Sequence, residues 1–162
     1  MKNLNIKIRQ AKEEDYSAVD FLYNQTYSLY YENIPGDYKK PPAKTLPKGT
    51  FLNMLEDKDA LVIVAEKNHK VVGVLYSTIE KDEGDEWSEP YHRISVEEIS
   101  VHPHFIKRGI GTMLMKKVEN WAKGKKIKNM ATLVFDFNKN AIKFYEKNGY
   151  KPYSIRMIKK IA

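Results

Sequence analysis

Cysteine is absent from the chain, which excludes thiol nucleophiles, thiolate metal sites and the disulfide scaffold of small secreted domains. The compartment expected from that absence is a reducing cytoplasm. Long apolar runs are missing as well. No stretch approaches the ~18 residues of a membrane span, and the first nine residues scatter charges where a signal peptide needs an apolar core. Histidine is scarce, with four in all. The closest pair, His102 and His104, has no Glu-x-x-His companion, so no metal is expected. Two nucleotide motifs are also lacking: no P-loop is present, and Leu114 occupies the third glycine position of the dinucleotide fingerprint.

What is present is a chain of 162 residues with a formal net charge of +7, a length suited to one domain with a continuous core. The excess comes mainly from lysines spread along every segment. That distribution reads as a solvated surface, and lysine lacks the bidentate fork with which arginine reads bases, so neither nucleic acid nor membrane is expected as a partner. The charge reverses locally in Glu80–Pro90, where six carboxylates fall among eleven residues. Two readings stay open there: a solvated hairpin loop, or a negative rim for a cationic substrate in which Glu83 supplies charge and Trp87 a cation–π surface.

The organising stretch is Ser95 to Trp121, which reads as strand, turn and helix. Its turn, Lys107-Arg108-Gly109-Ile110-Gly111-Thr112, places two glycines where the helix begins. Backbone N–H groups there are unpaired and the helix dipole favours an anion, while Lys107 and Arg108 add formal charge. A diphosphate is the expected guest.

Around this stretch the periodicities give an α+β order. Leu4 to Ile8 alternates as a strand. A helix follows the acidic turn Glu13-Glu14-Asp15 and runs to about Tyr31; it carries five tyrosines, of which Tyr27 and Tyr31 are candidates for the wall of a substrate pocket. Prolines and glycines make Asn33–Gly49 a long loop. A short helix at Thr50–Glu56 leads to strands at Ala60–Ala65 and Val71–Ile79, joined by a tight turn at Asn68-His69. His92–Val101 enters the central turn, and the helix after Gly109 stops near Lys123-Gly124. Met130–Phe135 is a strand, Asn138 or Asn140 caps a helix through Lys147, and a last strand runs from Tyr150 toward Ile161. One domain over residues 1–162 is expected, a mixed and mostly antiparallel sheet flanked by helices with one parallel crossover.

Two stretches in this order resemble the GNAT superfamily of acetyl-CoA-dependent N-acetyltransferases. Glu97-Glu98-Ile-Ser-Val-His-Pro-His-Phe-Ile-Lys-Arg-Gly-Ile-Gly-Thr is similar to the family's fourth strand and its Gln/Arg-x-x-Gly-x-Gly/Ala loop. Asn138-Lys-Asn-Ala-Ile-Lys-Phe-Tyr145-Glu-Lys-Asn-Gly149-Tyr150 is similar to its later helix. The family's Gln/Arg falls on Ile106, so that polar side chain is lacking. The resemblance implies acetyl-CoA as co-substrate. Its diphosphate would lie on the backbone of Lys107, Arg108, Gly109, Ile110, Gly111 and Thr112, its pantetheine along Ile99, Ser100 and Val101, with Asn138 contacting it and Tyr145 protonating the departing thiolate. It also implies Glu97 as base, by match to the spermidine/spermine branch. Glu97 and Glu98 are neighbours in a strand and should point to opposite faces, so that one of them enters the cleft. The activity implied is direct acetyl transfer to a primary amine in a ternary complex, with a polyamine or aminoglycoside suggested by the acidic segment, a protein amine as another acceptor, and a homodimer left open. A non-catalytic acyl-CoA-binding regulator and a basic nucleic-acid-binding domain are the alternatives.

Overall fold

The computed structural model describes residues 5–161; Leu4, the expected start of the first strand, lies outside them. The elements are β1 (Lys7–Gln10), α1 (Tyr16–Asn33) after a single 3-10 turn, α2 (Lys48–Glu56), β2 (Ala60–Lys67), β3 (Lys70–Asp82), β4 (Tyr91–Val101), α3 (Ile110–Gly124), β5 (Asn129–Thr132) and α4 (Lys139–Lys147). The five strands form one sheet in sequence order. The first three pairings are antiparallel, and β4 with β5 is parallel. The α+β expectation and the parallel crossover through α3 are both met. No helix among the described residues is long and apolar enough to cross a membrane.

The β-branched run of β2 explains the layering. Leu61, Ile63 and Ala65 face one core with Ile110, Leu114, Met115 and Val118 of α3, while Val62 and Val64 face a second core with Val19, Leu22 and Phe51 of α1 and α2. A strand buried on both faces needs apolar residues at every position. Gly73 in β3 lets α3 settle on the sheet, since a Cβ there would lie 3.2 Å from Ile110 Cγ2. The β2–β3 connection is tight, with φ of 48° at Asn68 and 62° at His69, the paired positive values that a two-residue hairpin requires.

The long loop between α1 and α2 is tied down. Asp20, buried in α1, accepts hydrogen bonds from the N–H groups of Thr45 and Leu46, each at 2.8 Å, and the Tyr16 hydroxyl donates to Leu46 O at 2.8 Å. A buried carboxylate satisfied by two backbone donors fixes where the chain returns.

The expected last strand is corrected. Among the described residues after α4 there is no strand, and Tyr153 and Met157 are 94% and 88% exposed. The alternation there is an extended pattern, but a strand also needs a hydrogen-bonded neighbour, and the segment pairs with neither sheet edge. β5 likewise stops at Thr132, three residues before the expected end at Phe135.

Candidate active site

The site follows from two irregularities in β4. The first is a bulge. Tyr76 pairs with Glu98 and Ser77 with Val96, so Glu97 is an extra residue and the side-chain phase inverts across it. Before the bulge, Ile94 and Val96 face the α3 core; after it, Ile99 and Val101 do. Glu98 and Ser100 therefore turn toward α1, where the Thr26 hydroxyl donates to Glu98 Oε1 at 2.6 Å and the Ser100 hydroxyl to Leu22 O at 3.1 Å. A regular strand would have driven Glu98 into the α3 core. The expectation that Glu97 and Glu98 face opposite ways is thus corrected, because the bulge puts both on one cleft.

The second irregularity is a splay. β4 continues to Val101, but its parallel pairing with β5 ends at Val96 and Thr132. Beyond that point the edge of residues 97–101 facing β5 has backbone donors and acceptors without a strand partner, and a cleft of about 250 Å³ opens. Glu97 to Val101, Thr132 to Phe135, Asn138, Ala141 and Tyr145 line it, with Gln25, Thr26, Leu29 and Tyr30 of α1 across.

Within the cleft, Glu98 is buried, and that burial raises its carboxyl to about 7 against the opposing effect of the Thr26 hydrogen bond. Glu97 is exposed and accepts from the Thr78 hydroxyl at 2.8 Å. Tyr145 is buried on α4, and burial raises its phenol above the ordinary tyrosine value, so it is protonated at neutral pH. Its hydroxyl lies 3.4 Å from Thr132 Oγ1. Thr132 has one proton and a nearer acceptor, Val96 O at 3.0 Å, which leaves only a long contact to hold the Tyr145 proton. Asn138 caps α4 by accepting from Ala141 N–H at 3.0 Å, and so fixes the helix that carries Tyr145.

Beside the cleft, α3 begins at Gly109, whose φ is 81°. The first helical bond runs from Met113 N–H to Gly109 O at 3.0 Å, so the N–H groups of Ile110, Gly111 and Thr112 have no acceptor within the helix. Lys107, Arg108 and Ile106 are exposed there, and the Arg108 guanidinium sits 5.6 Å from the Phe105 ring centre. A Cβ on Gly109 would meet nothing within 4 Å, whereas one on Gly111 would lie 2.9 Å from Phe144 Cε2. Gly109 therefore leaves open space for a guest. Gly111 serves close contact between α3 and α4, where its N–H is still free of a helical acceptor. These features fit a coenzyme A: an anion cradle with free donors, continuous with a bare strand edge.

The expected substrate contacts divide. Tyr27 and Tyr31 are on α1, but neither lines the cleft; Tyr30, which continues the stripe of Tyr23, Thr26 and Tyr27 at the same three- and four-residue spacing and so could have been found by it, does. Glu83 and Trp87 lie in the β3–β4 loop, in a shallow depression walled by Glu83 to Pro90 alone, and Trp87 is 87% exposed. The run of β4 from Glu98 back to Tyr91, where that loop ends, is roughly 20 Å. The sheet keeps the acidic segment apart from Glu98 and Tyr145.

A mixed sheet opened at a splayed parallel pair, with a glycine-started helix beside the opening, defines the acyl-CoA N-acyltransferase class of fold. The model of the Acetyltransferase (GNAT) family matches residues 17–150. The chain is 29% identical over 150 residues to an uncharacterised N-acetyltransferase, YhfO, of Bacillus subtilis (strain 168), covering 90% of each. Two solved structures share the fold. A mutant of the BH1408 protein from Bacillus halodurans superposes with a TM-score of 0.92 at 18% identity, over 96% of this chain and 99% of that one. The PaiA N-acetyltransferase of Thermoplasma acidophilum, in complex with coenzyme A, superposes with a TM-score of 0.75 at 19% identity, over 94% and 93%. The chain belongs to the GNAT family and is an N-acetyltransferase.

Proposed function

We propose that this acetyltransferase moves the acetyl group of acetyl-CoA to a primary amine by direct attack in the splayed cleft, with Glu98 as base and Tyr145 as acid. The observation that carries this reading is the pairing, in one cleft, of a buried carboxyl at about 7 with a buried, protonated phenol. A base is most effective when its pKa lies near the working pH. Exposed Glu97, matched by sequence to the base position, lacks that burial; its part is to leave the bulge that turns Glu98 inward.

Acetyl-CoA, when bound, supplies an activated acetyl thioester. The N–H groups of Ile110, Gly111 and Thr112, with the charge of Lys107 and Arg108, suit its diphosphate, and the bare edge at Ile99, Ser100 and Val101 suits its amide-bearing arm. An alkylammonium near pKa 10 is largely protonated at pH 7, and it attacks as the neutral amine after losing its first proton to solvent. Glu98 takes the proton that the nitrogen gives up as the C–N bond forms. Tyr145 gives its phenolic proton to sulfur as the C–S bond breaks, and both groups exchange with solvent before the next turnover. Asn138 orients the helix that bears the acid. The polyamine or aminoglycoside expectation rested on the acidic loop, whose distance from the cleft removes that support.

The test is thiol release from acetyl-CoA with a panel of amines, followed against pH. Turnover should rise through an apparent pKa near 7 and lose that limb in Glu98→Gln. A wild-type-like pH profile in that variant would remove Glu98 from the role.

A further inference from the structure

Three segments far apart in sequence bring their rings together at the mouth of the cleft. Tyr30 of α1 lies 5.2 Å from Tyr38 of the proline-rich loop and 5.3 Å from Phe135 after β5, while Tyr38 and Phe135 are 6.1 Å apart, all as ring-centre distances. Phe137 stacks on Phe135 at 6.0 Å, and Tyr27 meets Tyr38 edge-on at 6.3 Å. Tyr30 and Phe135 face the cleft that holds Glu98. Tyr30, Tyr38 and Phe135 are half-buried, and their tilted and edge-on geometry leaves faces and edges for another ring, as aromatic pairs prefer.

The charge around this wall is unsuited to a polycation. The cleft offers the two adjacent carboxylates Glu97 and Glu98, one of them required for the reacting nitrogen, and the acidic loop is at the far end of β4. The loop that carries Tyr38 adds Lys39 and Lys40, with Asp37 before them and Asp136 on the Phe135–Phe137 segment, while Lys44 is turned to Asp20 at 3.9 Å and to the Tyr16 ring. Beyond Glu97 and Glu98 the wall offers rings rather than carboxylates, so the further ammonium groups of a spaced polycation would be left against an apolar surface, which opposes its entry. One ammonium directed at Glu98 with a flat apolar body behind it meets no such opposition.

We infer that the acceptor is an arylalkyl monoamine, its amino group directed at Glu98 and its ring packed on the wall of Tyr30, Tyr38 and Phe135. The inference rests on the acyl-transfer reading of the cleft and adds the class of acceptor. The Tyr30 hydroxyl on this wall is held protonated at neutral pH by burial, so it offers a neutral donor to a substituent on the acceptor's ring.

The experiment compares 2-phenylethylamine, propylamine, spermidine and kanamycin as acceptors by thiol release, and measures 2-phenylethylamine binding to the CoA-loaded protein by calorimetry. The expected result is a kcat/KM for 2-phenylethylamine about tenfold or more above those of the other three, the scale of one good aromatic contact. In Tyr38→Ala and Phe135→Leu its preference over propylamine should shrink severalfold, chiefly through KM. CoA titration of each variant certifies its fold. Faster turnover of spermidine or kanamycin, or an unchanged preference in both variants, overturns the proposal. Ring-dependent binding without turnover of any amine upholds the aromatic site and sinks the catalytic reading instead; absence of both binding and turnover of 2-phenylethylamine in CoA-loaded protein sinks the proposal itself.

Discussion

At the scale of single residues, Glu98 as the proposed base ties catalysis to stability. Its folded-state carboxyl, near 7 because of burial, stands above the 4.5 of a free glutamate. The unfolded chain therefore loses this proton first as pH rises, and the fold loses stability between about 4.5 and 7 and then levels off, by an amount on the order of 3 kcal/mol. Glu98→Gln keeps an acceptor for Thr26 and removes the ionisation. It should gain on the wild type in thermal melts above pH 7 and match it near pH 4, while turnover falls by roughly 10²-fold or more. Tyr145→Phe should lower kcat by a similar ~10²-fold and leave CoA affinity near its original value, as a group acting on the leaving sulfur does. Equal kcat in the two proteins would make the phenol a packing group. Glu97→Gln should change kcat by less than about threefold, because the exposed side chain is hydrated and the backbone bulge remains.

At the scale of elements, the α3 start and the α3–α4 contact separate the roles of the two glycines. Gly109→Asn tolerates the positive φ and places a polar side chain in open space where a diphosphate is expected. It should weaken CoA binding about tenfold or more by calorimetry, with a melting temperature within a few degrees of wild type. Gly111→Val instead meets the Phe144 ring. Overpacking of that kind costs about 1–3 kcal/mol, so this variant should lose several degrees of melting temperature and displace α4, lowering kcat through Tyr145. If Gly109→Asn binds CoA as tightly as wild type, the cradle is not where the diphosphate rests.

Across the whole molecule, the sheet decides which charges meet. The acidic β3–β4 loop and the cleft lie roughly 20 Å apart on the same strand, beyond the ~10 Å Debye length of 0.1 M salt. Neutralising Asp82, Glu83, Asp85 and Glu86 together should leave KM for every amine within about twofold at 0.1 M salt. A severalfold rise in KM for cationic acceptors alone would return the loop to substrate recognition.

The glycine pair before α3, the apolar β2 run, the Asn-His hairpin and the α4 motif were legible in the sequence because each is a local pattern: a periodicity, a turn demand or a fixed spacing. They sufficed for the α+β class and the family resemblance, and they pointed to the anion cradle and the Tyr145 that the proposal uses. The proposed base was not legible. Glu97 and Glu98 are chemically alike and adjacent, and their difference comes from a bulge that depends on how β4 registers against β3. The aromatic wall was hidden for the same reason, since Tyr30, Tyr38 and Phe135 converge only when α1, the loop held by Asp20 and the end of β5 pack together. The C-terminal alternation also could not decide its own pairing. Local sequence determined the elements and their termini; strand register, the phase inversion at the bulge and long-range packing decided which side chains share a cleft, because those are set by contacts between segments that no single segment encodes.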